Sequence, residues 1–406
     1  MTRGDAATPH RGGGRAATVT PLSGTRPEVN RGRGDFKVFV DGLIFSLQRH
    51  GGISRLFCEL LPRVCELAPD LEVTLMTAGV AARLPVHERI AILRMLPVGR
   101  ILRPGRLWLR AVSPVRLWLL ARAVRSDEWA IWQPTYGAIP EGWRGPKIAM
   151  VYDLTSELYQ HLLRGAALRQ ARAFNEEQRS AVRSAQRVIC ISNSAAQDAI
   201  AMYGVRERHC RVVPLAHSEC FECRTVAPAQ RPFLLYIGAR YPYKNFGVVA
   251  AALPLLPHDL RLVVVGPPMS RIEAVMLRGL GVAERVDFRS ASTDDALCTL
   301  YNQASAFVYP SFYEGFGIPL LEAMACRCPV VASRIPSSIE VAGECPYYFE
   351  PTSREGLVDA VLRALSNGRK SVNVNAGAVK AREYSWDRSA AALLAVYREL
   401  AEGSNE

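Results

Sequence analysis

At 406 residues the chain is too long for one compact core and is expected to form two domains, and its hydrophobic share of 49% with a charged share of 22% is that of an ordinary globular protein. No run of 18 or more uncharged apolar residues occurs, which argues against a membrane-spanning helix. Fifty basic against 38 acidic residues leave a net charge of +12, which points to an anionic partner without naming it.

Residues 1–34 are rich in glycine, proline and arginine and lack an apolar h-region, so they read as a disordered basic arm and not a signal peptide. A strand is expected at Phe36–Asp41, followed by the glycine pair of His50-Gly51-Gly52-Ile53-Ser54-Arg55 at the mouth of a helix that continues through Leu56–Leu61. Such a pair either leaves backbone N–H groups open to an anion or simply makes a flexible turn. The next strand is expected at Glu72–Thr77. Between Arg100 and Arg125, arginines alternate with tryptophan and leucine, and Arg103, Arg106 and Arg110 share one helical face, although Pro104 and Pro114 interrupt it. That tract suits either an anionic membrane surface or an amphipathic helix on the N-terminal sheet.

Strands follow at Lys147–Asp153 and Arg187–Ser192, with Asp153 at a strand end, where it is either a site residue or the cap of a turn. Residues 215–230 lack periodicity and read as a linker. They hold Cys220-Phe-Glu-Cys223, whose spacing would suit a metal, but no second pair completes a zinc set. Ten cysteines, several inside apolar segments such as Cys58, Cys65 and Cys190, fit a reducing, cytoplasmic compartment better than a disulfide framework. The second half repeats the strand and helix alternation, with strands expected at Phe233–Gly238, Arg261–Gly266, Arg285–Phe288, Ala306–Tyr309 and Val330–Ser333. Valine- and leucine-rich strands alternating with helices imply two doubly wound parallel-sheet domains of the α/β class.

Two constellations at strand ends of the second half could carry chemistry. Gly238-Ala-Arg240-Tyr-Pro-Tyr-Lys244-Asn245 places two cations past one strand, suited to a diphosphate. Past another, Glu314-Gly315-Phe316-Gly317-Ile318-Pro319 sets Glu314 in a loop and Glu322, eight residues on, in the first turn of the next helix. Glycines there let the backbone approach a ligand closely. As bland alternatives, Glu322 favours the helix dipole and Glu314 is an exposed loop charge.

From Phe36 to about Glu399 the chain resembles family 4 glycosyltransferases of the GT-B fold, the retaining group that includes bacterial α-mannosyltransferases of polysaccharide assembly. The most specific stretch is Glu314-Gly-Phe-Gly-Ile-Pro-Leu-Leu-Glu322. Gly51-Gly52-Ile-Ser-Arg55, Arg240, Lys244-Asn245, Arg187–Ser192, Tyr203-Gly204-Val205, Val330–Ser333, Ile339-Glu340-Val-Ala-Gly343 and Ser385-Trp386 support it. The resemblance implies two Rossmann-like domains facing a cleft: an acceptor-side domain over 35–214 and a nucleotide-sugar domain over 231–384, with the 385–406 helix packing back on the first. It implies that Glu322 binds the ribose, that Glu314 faces the donor sugar, and that Arg240 and Lys244 hold the diphosphate under the Gly51-Gly52 loop, with Gly238, Gly315, Phe316, Gly317 and Ile318 lining the donor site and no metal required.

The implied donor is GDP-mannose or another nucleotide-diphosphate sugar, and the implied acceptor a saccharide, lipid-linked, at the inner membrane face. Where many members carry histidines, this chain has Tyr152 and Gln133, neither of which titrates near neutrality, so Asp153 becomes the main candidate of the acceptor side. A nucleic-acid partner lacks a recognition motif. A non-hydrolysing sugar-nucleotide epimerase and a non-catalytic nucleotide-sugar-binding subunit are the alternatives.

Overall fold

A computed structural model describes residues 36–47, 51–77, 83–94, 130–136, 139–140, 142–290 and 293–403. Short, β-branched runs buried along their whole length can only sit in sheets covered on both faces, and every strand pairing among the described residues is parallel.

The first sheet contains β1 (Phe36–Asp41), β2 (Leu71–Thr77), β3 (Ile90–Arg94) and β4 (Ile131–Pro134) in the order β3-β2-β1-β4. A parallel bridge from Trp132 to Lys147 continues it into β5 (Ile148–Val151), β6 (Arg187–Cys190) and β7 (Cys210–Val212). Its helices are α1 (Ile44–Leu47), α2 (Gly52–Leu67), α3 (Thr155–Leu158), α4 (Gly165–Ser184) and α5 (Asn193–Tyr203).

The second sheet runs β10-β9-β8-β11-β12-β13, built from β8 (Phe233–Ile237), β9 (Arg261–Val265), β10 (Val286–Arg289), β11 (Ala306–Tyr309), β12 (Val330–Ser333) and β13 (Tyr347–Phe349). Around it lie α6 (Phe246–Ala252), α7 (Arg271–Gly279), α8 (Asp294–Gln303), α9 (Ile318–Ala325), α10 (Pro336–Ala342), α11 (Arg354–Asn367), α12 (Val372–Ala381) and α13 (Trp386–Glu402). The strand order reverses between β8 and β11, which opens a crevice at their carboxyl ends. Two doubly wound α/β domains are therefore present, as expected.

Several elements differ from expectation. The strand expected over Lys147–Asp153 ends at Val151, and the one over Arg187–Ser192 stops at Cys190, because the chain turns away to start α3 and α5. Four strands escape the sequence reading: β3, β4, β7 and β13. Each is short or polar in part, as in Cys210-Arg-Val212, and is held by neighbours more than by its own pattern. The basic arm of residues 1–34 and the Arg100–Arg125 tract lie outside the described residues. Among the described residues no helix is long and apolar enough to cross a membrane.

After β7 the chain runs without helix or strand from Val213 to Pro232, with Phe221 buried and Asn302 of α8 gripping the Glu222 carbonyl and the Arg224 amide. At the other end α13 crosses back to the first domain. Ser385 caps it, and Ser389 donates to the Pro214 carbonyl at 2.7 Å. Arg63 of α2 reaches Asp387 at 3.0 Å, and Glu399 accepts from Arg187 at 2.6 Å and from Arg211 at 2.6 Å. Hydrogen bonding to Arg187, then to Arg211, holds the Glu399 carboxyl down at about 2.

Because its native value is depressed, Glu399 contributes stability above its unfolded value that is lost as pH falls through about 2. Glu399→Gln is expected to cost roughly 1 kcal/mol at pH 7, the scale of a part-exposed ion pair, and the gap to wild type should close in acid when unfolding is followed by circular dichroism.

Candidate active site

The crevice at the carboxyl ends of β8 and β11 is built by two loops fastened to one another. Past β8 the single turn Pro242–Lys244 ends at Asn245, which takes a left-handed conformation (φ 52°). A short amide side chain tolerates that region, and here Asn245 Nδ2 donates to the carbonyls of Pro310 at 3.0 Å and Pro351 at 2.8 Å. The Phe312 amide donates to the Tyr243 carbonyl at 2.8 Å. These bonds bring Lys244 Nζ to 2.6 and 2.8 Å from the two oxygens of Glu314, and Ser311 Oγ donates to Oε1 at 2.5 Å. Lys244 and Glu314, 70 residues apart along the chain, are thus brought together.

Gly317 begins α9 with φ 118°, a region that side-chain-bearing residues avoid, and so turns the loop into the helix. Pro319 follows in the first turn. Glu322, however, is the fifth helical residue, not a first-turn residue as expected, and interaction with the helix N-terminus does not explain it. Its side chain is buried, with Tyr301 Oη donating to Oε2 at 3.0 Å and Arg55 Nη1 reaching Oε1 at 3.4 Å. Burial lifts the Glu322 carboxyl from the usual 4.5 to about 7, against the opposing pull of Arg55 and the Tyr301 bond.

Arg55 comes from the first domain, three residues into α2, and its main partner is Asp294 at the start of α8. Through this residue the N-terminus of α2 is brought to the second domain. Gly51 is the N-cap and, among the described residues, no side chain caps the helix, so none of them consumes the amides of Gly52 and its neighbours.

The remaining expected residues divide. Asp153 is exposed, and its Oδ1 accepts from the Thr155 amide at 2.8 Å, so it caps the turn into α3 while standing opposite the Glu314 loop: a Cβ placed on Gly315 would lie 3.0 Å from Asp153 Cβ and 1.9 Å from the Tyr152 carbonyl oxygen. Arg240 is not turned toward Glu314. Its guanidinium is buried against Glu273 and donates to the carbonyls of Pro267 and Pro268 at 2.9 and 2.8 Å, with Nη1 buried beside Phe288 and making no hydrogen bond among the described residues. Phe316 is a buried loop anchor packed edge-on against Tyr384 at 5.6 Å, and its ring is closed to a ligand. Gly238 (φ 124°) ends β8, and Ile318 opens α9 half-buried.

Neither Tyr152 nor Gln133 is placed to meet a sugar. Tyr152 is buried and its hydroxyl donates to the Thr135 carbonyl at 2.9 Å, while Gln133 is fully buried and donates to the Pro134 carbonyl. Both fix the ends of β4 and β5.

The sequence reading missed the bonds that join the domains. Ser192 Oγ donates to the Gly315 carbonyl at 2.6 Å, and Tyr313 Oη accepts from the Leu154 amide at 3.1 Å and donates to Asp198 at 2.8 Å. Glu340 of α10 caps α5 of the other domain, accepting from the amides of Asn193 at 2.7 Å and Ser194 at 2.8 Å. Glu340 stood in a recognisable run, but a cap supplied from elsewhere in the chain leaves no local spacing signal.

Two facing parallel-sheet domains, with acidic and basic groups on the strand-end loops of the second, define the GT-B class. In that light the comparisons with known proteins are direct. Residues 50–216 match Glycosyltransferase Family 4 and residues 223–380 match Glycosyl transferases group 1, so the chain belongs to these glycosyltransferases. It is 29% identical over 196 residues to O-antigen chain mannosyltransferase B of Escherichia coli, a match covering 46% of this chain and 51% of that one. It is 28% identical to D-inositol 3-phosphate glycosyltransferase of Salinispora tropica over 86% of this chain and 81% of that one. Sucrose-phosphate synthase of Thermosynechococcus elongatus, at 18% identity, superposes with a TM-score of 0.70 over 90% of this chain and 99% of that one, a likeness of fold.

A carboxyl raised in the native state stabilises fully below its unfolded value and loses that contribution as pH rises through the native one. Unfolding of the wild type should therefore show a decline of up to about 3 kcal/mol between pH 4.5 and about 7, which urea titrations of Glu322→Gln should lack.

Proposed function

We propose that the chain is a retaining transferase that moves a hexose, mannose from GDP-mannose, onto a saccharide carried on a lipid at the inner face of a bacterial membrane. The observation that carries this reading is the Lys244–Glu314 pair, held at 2.6 Å at the switch point of the second sheet with the buried Glu322 one helical turn beyond. A hexose seated against Glu314 would place its diphosphate toward Lys244, and a ribose would compete with Arg55 for Glu322. Lys244 together with the amides at the start of α2 supplies positive charge where the leaving phosphate gains negative charge, which is why no metal is needed in this reading.

Donor loss on the acceptor's own face lets the departing phosphate take the acceptor proton, so no carboxylate base is required. The mannosyltransferase relative supports mannose, and the net charge of +12 supports an anionic donor and membrane contact. The match over 86% of the chain to an inositol-phosphate glycosyltransferase favours a second reading, in which a phosphorylated cyclitol is the acceptor.

Lys244→Ala is expected to lower kcat by 100- to 1,000-fold, on the scale of losing one group that stabilises the leaving charge, with a smaller effect on donor KM. Glu322→Ala should raise donor KM. A thermal-shift series with GDP-mannose, other nucleotide sugars and D-inositol 3-phosphate separates the donors and the two acceptors, and turnover in EDTA should match that without it. Wild-type rates in both variants would overturn the site, and stabilisation by another donor alone would overturn mannose.

A further inference from the structure

The structure carries a row of aromatic rings at the mouth of the crevice that the donor site does not use. Tyr241 and Tyr243, on the Lys244 loop, lie 6.0 Å apart with planes within 13°. Tyr243 lies 5.9 Å from Tyr159, which stands on the first-domain loop after α3, and Tyr159 lies 6.0 Å from His161 and 6.4 Å from Tyr313. The row therefore crosses from one domain to the other. It passes directly beside the reacting groups, with Lys244 Nζ 5.4 Å from the Tyr243 ring centre, and both Glu314 and Asp153 near enough to push the Tyr243 phenol up beyond what burial does.

Three properties set these rings apart from core aromatics. Tyr241 is 59% exposed, Tyr159 is half-buried, and Leu158 and Leu162 on the same loop are also exposed. The hydroxyls of Tyr159, Tyr241 and Tyr243 make no hydrogen bond among the described residues, whereas Tyr152, Tyr301, Tyr313 and Tyr348 all spend theirs inside the protein. Finally, Lys244, Glu314 and Asp153 gather about the middle ring, Tyr243, so the row runs directly past the charged strand-end loops.

An apolar face with free phenol edges matches one kind of partner closely. A pyranose ring presents C–H groups on its faces and hydroxyls on its rim, so it covers an aromatic face while its edge takes hydrogen bonds from a phenol. A nucleotide's phosphates would need a cation to spare, and Lys244 beside Tyr243 is already held by both oxygens of Glu314, while a lipid tail would leave three phenols unpaired.

We propose that Tyr241, Tyr243 and Tyr159, flanked by His161, form a stacking platform for the acceptor, and that the acceptor unit it takes is an uncharged hexopyranose ring. This rests on the glycosyl-transfer reading and makes the second domain, through its Lys244 loop, a contributor to acceptor binding. Platform and donor site share one loop, so the acceptor hydroxyl and the donor sugar are brought together by the turn that Asn245 locks.

Saturation-transfer NMR with methyl α-D-mannopyranoside tests the platform. In the wild type, saturation of aromatic protons should pass to the ring C–H protons of the glycoside. Tyr159→Ala and Tyr241→Ala should each weaken its affinity at least tenfold, and Tyr159→Phe, which keeps the ring, should stay within about threefold of wild type. Thermal stabilisation by GDP-mannose serves as the fold control for each variant. Equal binding in the alanine variants and the wild type, or no binding of the glycoside to the wild type, overturns the platform. Glycoside binding without stabilisation by any nucleotide sugar leaves the platform standing and overturns the proposed donor chemistry.

Discussion

Gly315 sits against the Tyr152 carbonyl so closely that a Cβ on it would meet that oxygen at 1.9 Å. The absence of a side chain on Gly315 lets the loop after β11 pack against the end of β5, and three hydrogen bonds seal it: Ser192 to the Gly315 carbonyl, the Leu154 amide to Tyr313, and Tyr313 to Asp198. Glu314 precedes that glycine and Asp153 lies on the other side of it. The contact thus determines that a carboxylate from each domain faces the same space, and that the first domain closes one side of the donor crevice.

Around this seam the charges are balanced locally. Glu314 is neutralised by Lys244, and Arg55 by Asp294 with a longer reach to Glu322. Glu322 is the expensive member, since burial costs a carboxylate more than one hydrogen bond from Tyr301 and a 3.4 Å contact with Arg55 return. Groups held at such a cost are common where a ligand completes their hydrogen bonding, and two hydroxyls of a ribose would do so. Arg240 is the contrasting case: its guanidinium is spent on Glu273 and two carbonyls, so it shapes the loop past β9 in the geometry seen here.

Much of the fold was legible because parallel strands covered on both faces must be apolar throughout, and runs such as Leu262-Val-Val-Val265 have few other places to go. Strands β7 and β13 were illegible for the opposite reason. Three residues carry too little pattern, and Cys210-Arg-Val212 becomes a strand because β6 offers it a pairing edge. In the site, Lys244, Glu314 and Glu322 were legible from residue type and from glycine and proline placement. Arg55 was visible only as part of a glycine-led turn, and the cap that Glu340 gives to α5 joins residues 146 and 147 positions apart. Tyr152 and Gln133 stand where the resemblance puts histidines, but their side chains turn inward, and a strand's sequence alone does not tell which face becomes core when both are covered.

The sequence by itself determined the alternation of strands and helices, the crevice at the carboxyl ends of the second sheet, and the residue types that line it, because hydrophobic periodicity and turn chemistry act over a few residues. Which of those residues meet was decided only by the tertiary structure. The pairing of Lys244 with Glu314, the turning of Arg240 toward Glu273, the depth that lifts Glu322 to about 7, and the row from Tyr241 to Tyr159 all depend on distances between segments far apart in the chain. Electrostatics and packing act through space, and no local pattern records them.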